Sequence, residues 1–212
     1  MRSYLLAVLA FLAISSSGVV HSAPGAAVAH WTFDGDLRDQ SGCGHDLGVK
    51  DARFVPGQHG QAMQFGREYV EVPSSPELGL APGLQIECWV MFSELPTGYQ
   101  YIVRKDHEYM LRVDPLSEGG RFAFFVYLNG SWEPRVSCGK AVTAGVWYHV
   151  VARWTGKKAT LEVDGKKASV SRSGVATPTA YPLKFAALNG ALDELRIENP
   201  VMRNPRAGNP AM

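Results

Sequence analysis

The stretch LQIECWVMF (84–92) changes side at every step. Ile86, Cys88 and Val90 fall on one face of an extended chain, and Glu87, Trp89 and Met91 on the other. The same period of two recurs in RFAFFVYL (121–128), where Phe122, Phe124, Val126 and Leu128 oppose Ala123, Phe125 and Tyr127. It recurs in WYHVVARW (147–154), with Tyr148, Val150, Ala152 and Trp154 on one side. In ATLEVDGKKASV (159–170) the alternation breaks at Asp164-Gly165, residues suited to a type I′ hairpin turn, and Asn129-Gly130 is a second such pair. Helical periodicity is almost absent. The 22 glycines and 13 prolines fit many short strands joined by many turns. Strand-like runs at short intervals predict an all-β sandwich or barrel, and 212 residues suit one domain.

The first segment stands apart. MRSYLLAVLAFLAISSSGVVHSAPG carries one cation at Arg2, an apolar run from Tyr4 to Ile14, and then small residues. Residues 1–22 read as a secretory signal peptide with cleavage after Ser22; a cut after Ala29 is the alternative. The apolar run is too short for a stable membrane span and no second one follows, so the mature chain is expected to be soluble and secreted, whether extracellular or periplasmic. Lys and Arg total 21 against 20 Asp and Glu, and no basic run interleaves with aromatics, so nucleic acid is not expected as a partner. Cys43, Cys88 and Cys138 allow one disulfide in any of three pairings, or three reduced thiols. Residues 199–212, NPVMRNPRAGNPAM, show no apolar pattern and are expected to be an irregular tail.

Six segments appear together in a recognisable order: HWTFDGDLRDQSGCGHD (30–46), GQHGQAMQFGREYVEVPSSPEL (57–78), LQIECWV (84–90), GVWYHVVARW (145–154), TLEVDGKKA (160–168) and LNGALDELRI (188–197). In this the chain resembles the laminin-G-like, concanavalin-A-like jelly-roll modules. The resemblance implies a domain over residues 30–198, folded as a two-sheet antiparallel jelly-roll sandwich whose first and last strands are neighbours. Such modules bind carbohydrate, bind proteins, or accompany enzymes, and the fold alone does not choose among these.

GALDELRI (190–197) places two carboxylates inside a strand. Strict alternation puts Ala191, Asp193, Leu195 and Ile197 on the apolar face, and Glu194, Arg196 and Glu198 on the other. Adjacent strand residues point apart, so Asp193 and Glu194 flank one scissile bond only if a bulge intervenes. A carboxylate on an apolar face must be paired, hydrogen-bonded or metal-bound. If the first and last strands are neighbours, as the resemblance implies, Asp34 lies near Asp193. Related modules hold a structural Ca²⁺, and Asp34 and Asp193 resemble that site, with Asp36 and Asp39 as further ligands. The alternative is that Asp193 accepts backbone N–H groups of a neighbouring turn.

A two-residue loop at Asn129-Gly130 pairs Leu128 with Ser131 and sets Tyr127 opposite Trp132, with Phe125 two residues back on the same face. Pro134 favours an edge strand. Phe125, Tyr127 and Trp132 are therefore a candidate platform for the apolar C–H faces of sugar rings, with Asn129, Glu133 and Arg135 available to hydroxyls; cross-strand packing is the alternative. Tyr99, Tyr101 and His107 form a second candidate. RKDHE (104–108) reads as a turn with solvated charges. No Cys-x-x-Cys, paired-histidine spacing or Gly-x-Ser-x-Gly elbow is present. The expectation is a secreted non-catalytic module that binds a glycan, a polysaccharide or an extracellular protein; the alternatives are a polysaccharide hydrolase or lyase and an adhesion module.

Overall fold

A computed structural model describes residues 27–66 and 68–199. The expected signal peptide and residues 200–212 of the expected tail lie outside them. Fourteen strands run β1 (Ala27–Trp31), β2 (Arg53–Pro56), β3 (Gln61–Phe65), β4 (Val70–Val72), β5 (Leu84–Phe92), β6 (Gln100–Lys105), β7 (Tyr109–Val113), β8 (Phe122–Leu128), β9 (Ser131–Cys138), β10 (Trp147–Trp154), β11 (Lys158–Val163), β12 (Lys166–Ser171), β13 (Leu183–Ala187) and β14 (Gly190–Glu198). They form two antiparallel sheets. One has eight strands in the order β12-β11-β10-β5-β14-β3-β2, with β1 also on β14; the other has six, β4-β13-β6-β7-β8-β9. This is the expected jelly-roll sandwich, with first and last strands paired through Trp31 and Leu195. Among the described residues no helix is long and apolar enough to cross a membrane.

The alternating runs fold as their pattern demands. Ile86, Cys88 and Val90 enter the core from β5, and Val150, Ala152 and Trp154 from β10. Phe122, Phe124, Val126 and Leu128 enter it from β8. Across the sandwich, Trp31 meets Phe185 at 5.2 Å and Phe65 meets Phe185 at 6.2 Å. Such ring pairs each add roughly 0.5–1.5 kcal/mol beyond the area they bury. Both predicted tight turns form, with Asn129 and Asp164 in the left-handed region at φ 51° and 48°. Cys88 and Cys138 are buried, Cys43 is half-buried, and all three are free thiols.

The face assignment in β14 needs correction. The core receives Leu192, Leu195 and Ile197. The pairing with β5 shifts between Asp193 and Arg196, and Glu194 takes φ 51°. This β-bulge inserts one residue and resets the parity. Asp193 therefore pairs with Trp89 on the outer face of the eight-stranded sheet, not on the core face. Gly190 opens the strand because nothing larger fits: a Cβ there would lie 1.9 Å from the Met91 carbonyl oxygen.

A second correction concerns RKDHE. Lys105 and Glu108 are 0% and 2% exposed and meet at 2.6 Å. Only Arg104, Asp106 and His107 of this turn reach solvent.

The loop after β1 is built around Asp39, whose carboxylate accepts N–H bonds from His30, Ser41 and His45. His45 is buried between Asp39 at 3.3 Å and the Val28 carbonyl at 3.0 Å. Burial alone would raise the Asp39 pKa, but the hydrogen bonds from His45, Ser41 and the backbone hold it far below the ordinary range. Hydrogen bonding to Asp39 raises the His45 pKa above its ordinary 6.5, against burial, which lowers it. The charged pair thus stabilises the fold fully below 6.5 and fades as pH climbs through the folded-state value of His45. Melting temperature should fall on passing from mildly acidic to alkaline buffer, and His45→Gln should flatten that slope. An equal slope in both proteins would remove His45 as its source.

Candidate functional site

Exposed and half-exposed aromatic rings gather on the outer face of the six-stranded sheet. The register of β8 and β9 next to the turn is the one expected, Leu128 facing Ser131 and Tyr127 facing Trp132, but further on it shifts so that Phe125 faces Arg135. A bulge at Glu133-Pro134 takes up the slip between the last two pairs, on a strand that is indeed an edge. Tyr127 and Trp132 pack edge to face at 5.0 Å. The row continues beyond the hairpin, with His107 at 4.9 Å from Tyr127 and Tyr181 at 5.5 Å from His107.

Not every predicted platform residue is available. Phe125 is 7% exposed and lies beneath two guanidinium groups, Arg112 at 4.6 Å and Arg135 at 5.3 Å. Both cations are held by the buried Asp114. Phe125, Met110 and Ala123 form a floor against which Tyr101 and Trp132 pack. Asn129 is occupied as well: its Oδ1 accepts the Val175 N–H at 3.0 Å, and its own N–H donates to the Val175 carbonyl at 3.2 Å. Asn129 thereby anchors the irregular segment that carries Tyr181. Tyr181, whose ring is exposed, was not identifiable from the sequence, because it lies outside any alternating run; its place beside Pro182 was the only signal.

The second predicted group also lies on this face. Tyr101 sits between Tyr69 at 6.2 Å and Tyr99 at 6.4 Å. Arg112 stacks over Tyr99 at 3.9 Å, and Arg104 lies over Tyr101 at 5.2 Å. Tyr69 joins the row because it precedes β4, where residues alternate outward with Glu71.

Asp34 and Asp193 do converge, on the turn between β2 and β3. Asp193 Oδ2 accepts the N–H groups of Gln58 and His59 at 2.7 and 2.8 Å, and Asp34 Oδ1 accepts that of Gln61 at 2.7 Å. Oδ1 of Asp193 is buried and has no hydrogen-bond partner. Burial raises the Asp193 pKa, opposed by the His59 and Gln58 amides. Glu194 instead bonds His30 Nε2 at 2.6 Å. Among the described residues no group of three or more His, Cys, Asp or Glu side chains is placed to hold a metal ion. Asp36 accepts the Arg38 N–H, and Asp39 is fully engaged as described.

A family model described as the concanavalin A-like lectin/glucanases superfamily matches residues 65–205. No curated protein sequence matches the chain. Among solved structures, the fold is similar to domain 4 of AbnA, an extracellular arabinanase of Geobacillus stearothermophilus, in complex with arabinotriose. The TM-score is 0.64 at 19% identity, over 82% of this chain and 92% of that one. It is similar to the binding domain of botulinum neurotoxin DC in complex with SialylT, with a TM-score of 0.61 at 13% identity, over 82% of this chain and 48% of that one. It is also similar to domains LG4-5 of the mouse laminin α1 chain, with a TM-score of 0.53 at 16% identity, over 69% of this chain and 41% of that one.

Proposed function

This chain belongs to the concanavalin A-like lectin/glucanases superfamily, and we propose that it is a secreted, non-catalytic module that binds carbohydrate on the outer face of its six-stranded sheet. The observation that carries the proposal is the aromatic row Trp132–Tyr127–His107–Tyr181. Sugar rings present apolar C–H faces, and a row of aromatic edges and faces on a rigid sheet offers matching contact at little conformational cost. Asp193 and Glu194 support the non-catalytic part. Asp193 holds two amides of a turn and Glu194 holds a histidine, so each already has a structural partner.

Central aromatic residues in binding sites commonly contribute about 2 kcal/mol or more. Trp132→Ala should therefore weaken binding at least tenfold, or about 1.4 kcal/mol, with the melting temperature little changed. Affinity electrophoresis against arabinan, xylan, α-glucan, β-glucan and a sialylated glycoprotein checks this. Arabinan and the sialylated probe are included because of the ligands named with the two similar structures. Retardation that is equal for Trp132→Ala and the parent would move the site off this face.

A structural calcium ion at Asp34 and Asp193 belongs to the same proposal. The specific support is the buried, unpartnered Oδ1 of Asp193. Ca²⁺ takes about six to eight oxygens, so backbone carbonyls and water would complete the set. The ion would neutralise two carboxylates and secure the turn between β2 and β3.

A further inference from the structure

The row Tyr69–Tyr101–Tyr99 is separate from the row that contains Trp132, yet the two share one floor. Tyr101 and Trp132 both pack on Met110, Ala123 and Phe125. Tyr69 and Tyr99 are 36% and 41% exposed, so their rings are open to a ligand. Their rings are held in place. Tyr99 donates its hydroxyl to Glu118 at 2.8 Å and stacks on Arg112. Arg104 and Lys184 sit over Tyr101 and Tyr69 at 5.2 and 5.6 Å. Fixed rings lose little entropy when a ligand lands on them.

Tyr69 also forms the lip of a groove. This open cleft of about 600 Å³ lies between the β2–β3 edge of one sheet and the β4 edge of the other. Lys50, Arg53, Gln64, Glu68 and Glu71 line it beside Val49. Such a wall offers donors and acceptors to hydroxyl groups along its length. A single sugar would leave most of this surface uncovered.

The cations beside the rings are all ion-paired, four of them on three carboxylates. Arg104 pairs with Asp106, Arg112 and Arg135 with Asp114, and Lys184 with Glu71. Guanidinium groups already engaged in this way are poorly free to take a carboxylate or sulfate, because an anionic ligand would have to displace Asp114 or Asp106.

We infer that the groove and the Tyr69–Tyr101–Tyr99 row form an extended subsite, contiguous with the Trp132 row, that binds internal segments of a neutral polysaccharide. This rests on the assignment of the face as carbohydrate-binding. The test begins with electrophoresis of the intact protein in gels of linear arabinan, xylan, α-glucan and β-glucan. Calorimetry follows, with the disaccharide, trisaccharide and hexasaccharide of whichever polymer retards it. The hexasaccharide should bind at least tenfold more tightly than the trisaccharide. Tyr69→Ala and Tyr99→Ala, both at exposed positions, should remove most of that gain while leaving trisaccharide affinity and the melting temperature close to the parent. Affinity that does not grow with length, or a gain that survives both substitutions, overturns the extended subsite while Trp132-dependent binding stands. Retardation in none of the gels overturns both the subsite and the carbohydrate assignment.

Discussion

Lys105→Met should lower the unfolding free energy by about 3–5 kcal/mol, the usual cost of stripping one partner from a buried ion pair. The amine meets Glu108 Oε1 at 2.6 Å and the carbonyl oxygens of Thr179 and Tyr181 at 3.0 Å each. Glu108 in turn accepts the Leu80 N–H at 2.7 Å and the Thr179 N–H at 3.0 Å. Three loops thus converge on one charge pair shut away from water. Without Lys105 the carboxylate keeps its amides but loses its counter-charge. Lys105→Met combined with Glu108→Gln should be less damaging than Lys105→Met alone, because the second change removes the stranded charge while an amide oxygen still accepts from Leu80. Denaturant midpoints of the parent, both single variants and the double variant measure this coupling. A Lys105→Met protein within about 1 kcal/mol of the parent would mean that water reaches Glu108. The effect reaches the proposed site as well, since Lys105 holds the Tyr181 carbonyl and so the end of the aromatic row.

Why this pair escaped the sequence reading is instructive. RKDHE has the composition of an exposed turn, and most such charges are solvated. Its burial is imposed by segments distant in the chain, around Ser74, Leu80 and Thr179, which no local pattern announces. The bulge in β14 escaped for a related reason. Alternation identifies two faces but assumes an unbroken period, and a single residue in the left-handed region exchanges them. Glu194 is not a residue type that advertises such a conformation. Where backbone chemistry is local, the reading held. Asn129-Gly130 and Asp164-Gly165 specified their turns, and the first of these set Tyr127 against Trp132. The hairpin could not show that Arg112 and Asp114 complete the roof over Phe125 or that Val175 engages Asn129, because these partners lie outside it. Tyr99 and Tyr101 were visible as aromatics, whereas their alignment with Tyr69 required the pairing of β4, β13 and β6.

Asp193→Ala should cost about 1–3 kcal/mol for each of the two amides it leaves without an acceptor. Gln58 and His59 sit on an exposed turn where water partly replaces the carboxylate, so the lower part of that range applies. Asp193→Asn separates hydrogen bonding from charge, since the amide oxygen still takes both N–H groups. Burial raises the pKa of this carboxyl, so in the absence of a cation its ionisation costs more in the folded than in the unfolded chain. The stability linked to its protonated form is complete below the unfolded-state pKa and is lost as pH rises through the folded-state value. In chelator at neutral pH, Asp193→Asn should therefore be at least as stable as the parent, while Asp193→Ala is weaker than both. Calcium should reverse the first comparison. An ion present at a hundredfold excess over its Kd adds about 2.7 kcal/mol to the state that binds it, and only the parent retains the second carboxylate oxygen at full charge. Melting curves of the three proteins in calcium and in chelator read all of this at once. A parent curve identical in the two buffers would remove calcium and leave Asp193 as a clamp on the turn between β2 and β3. A parent stabilised by calcium, with both variants unresponsive, would assign the unpartnered oxygen of Asp193 to the ion.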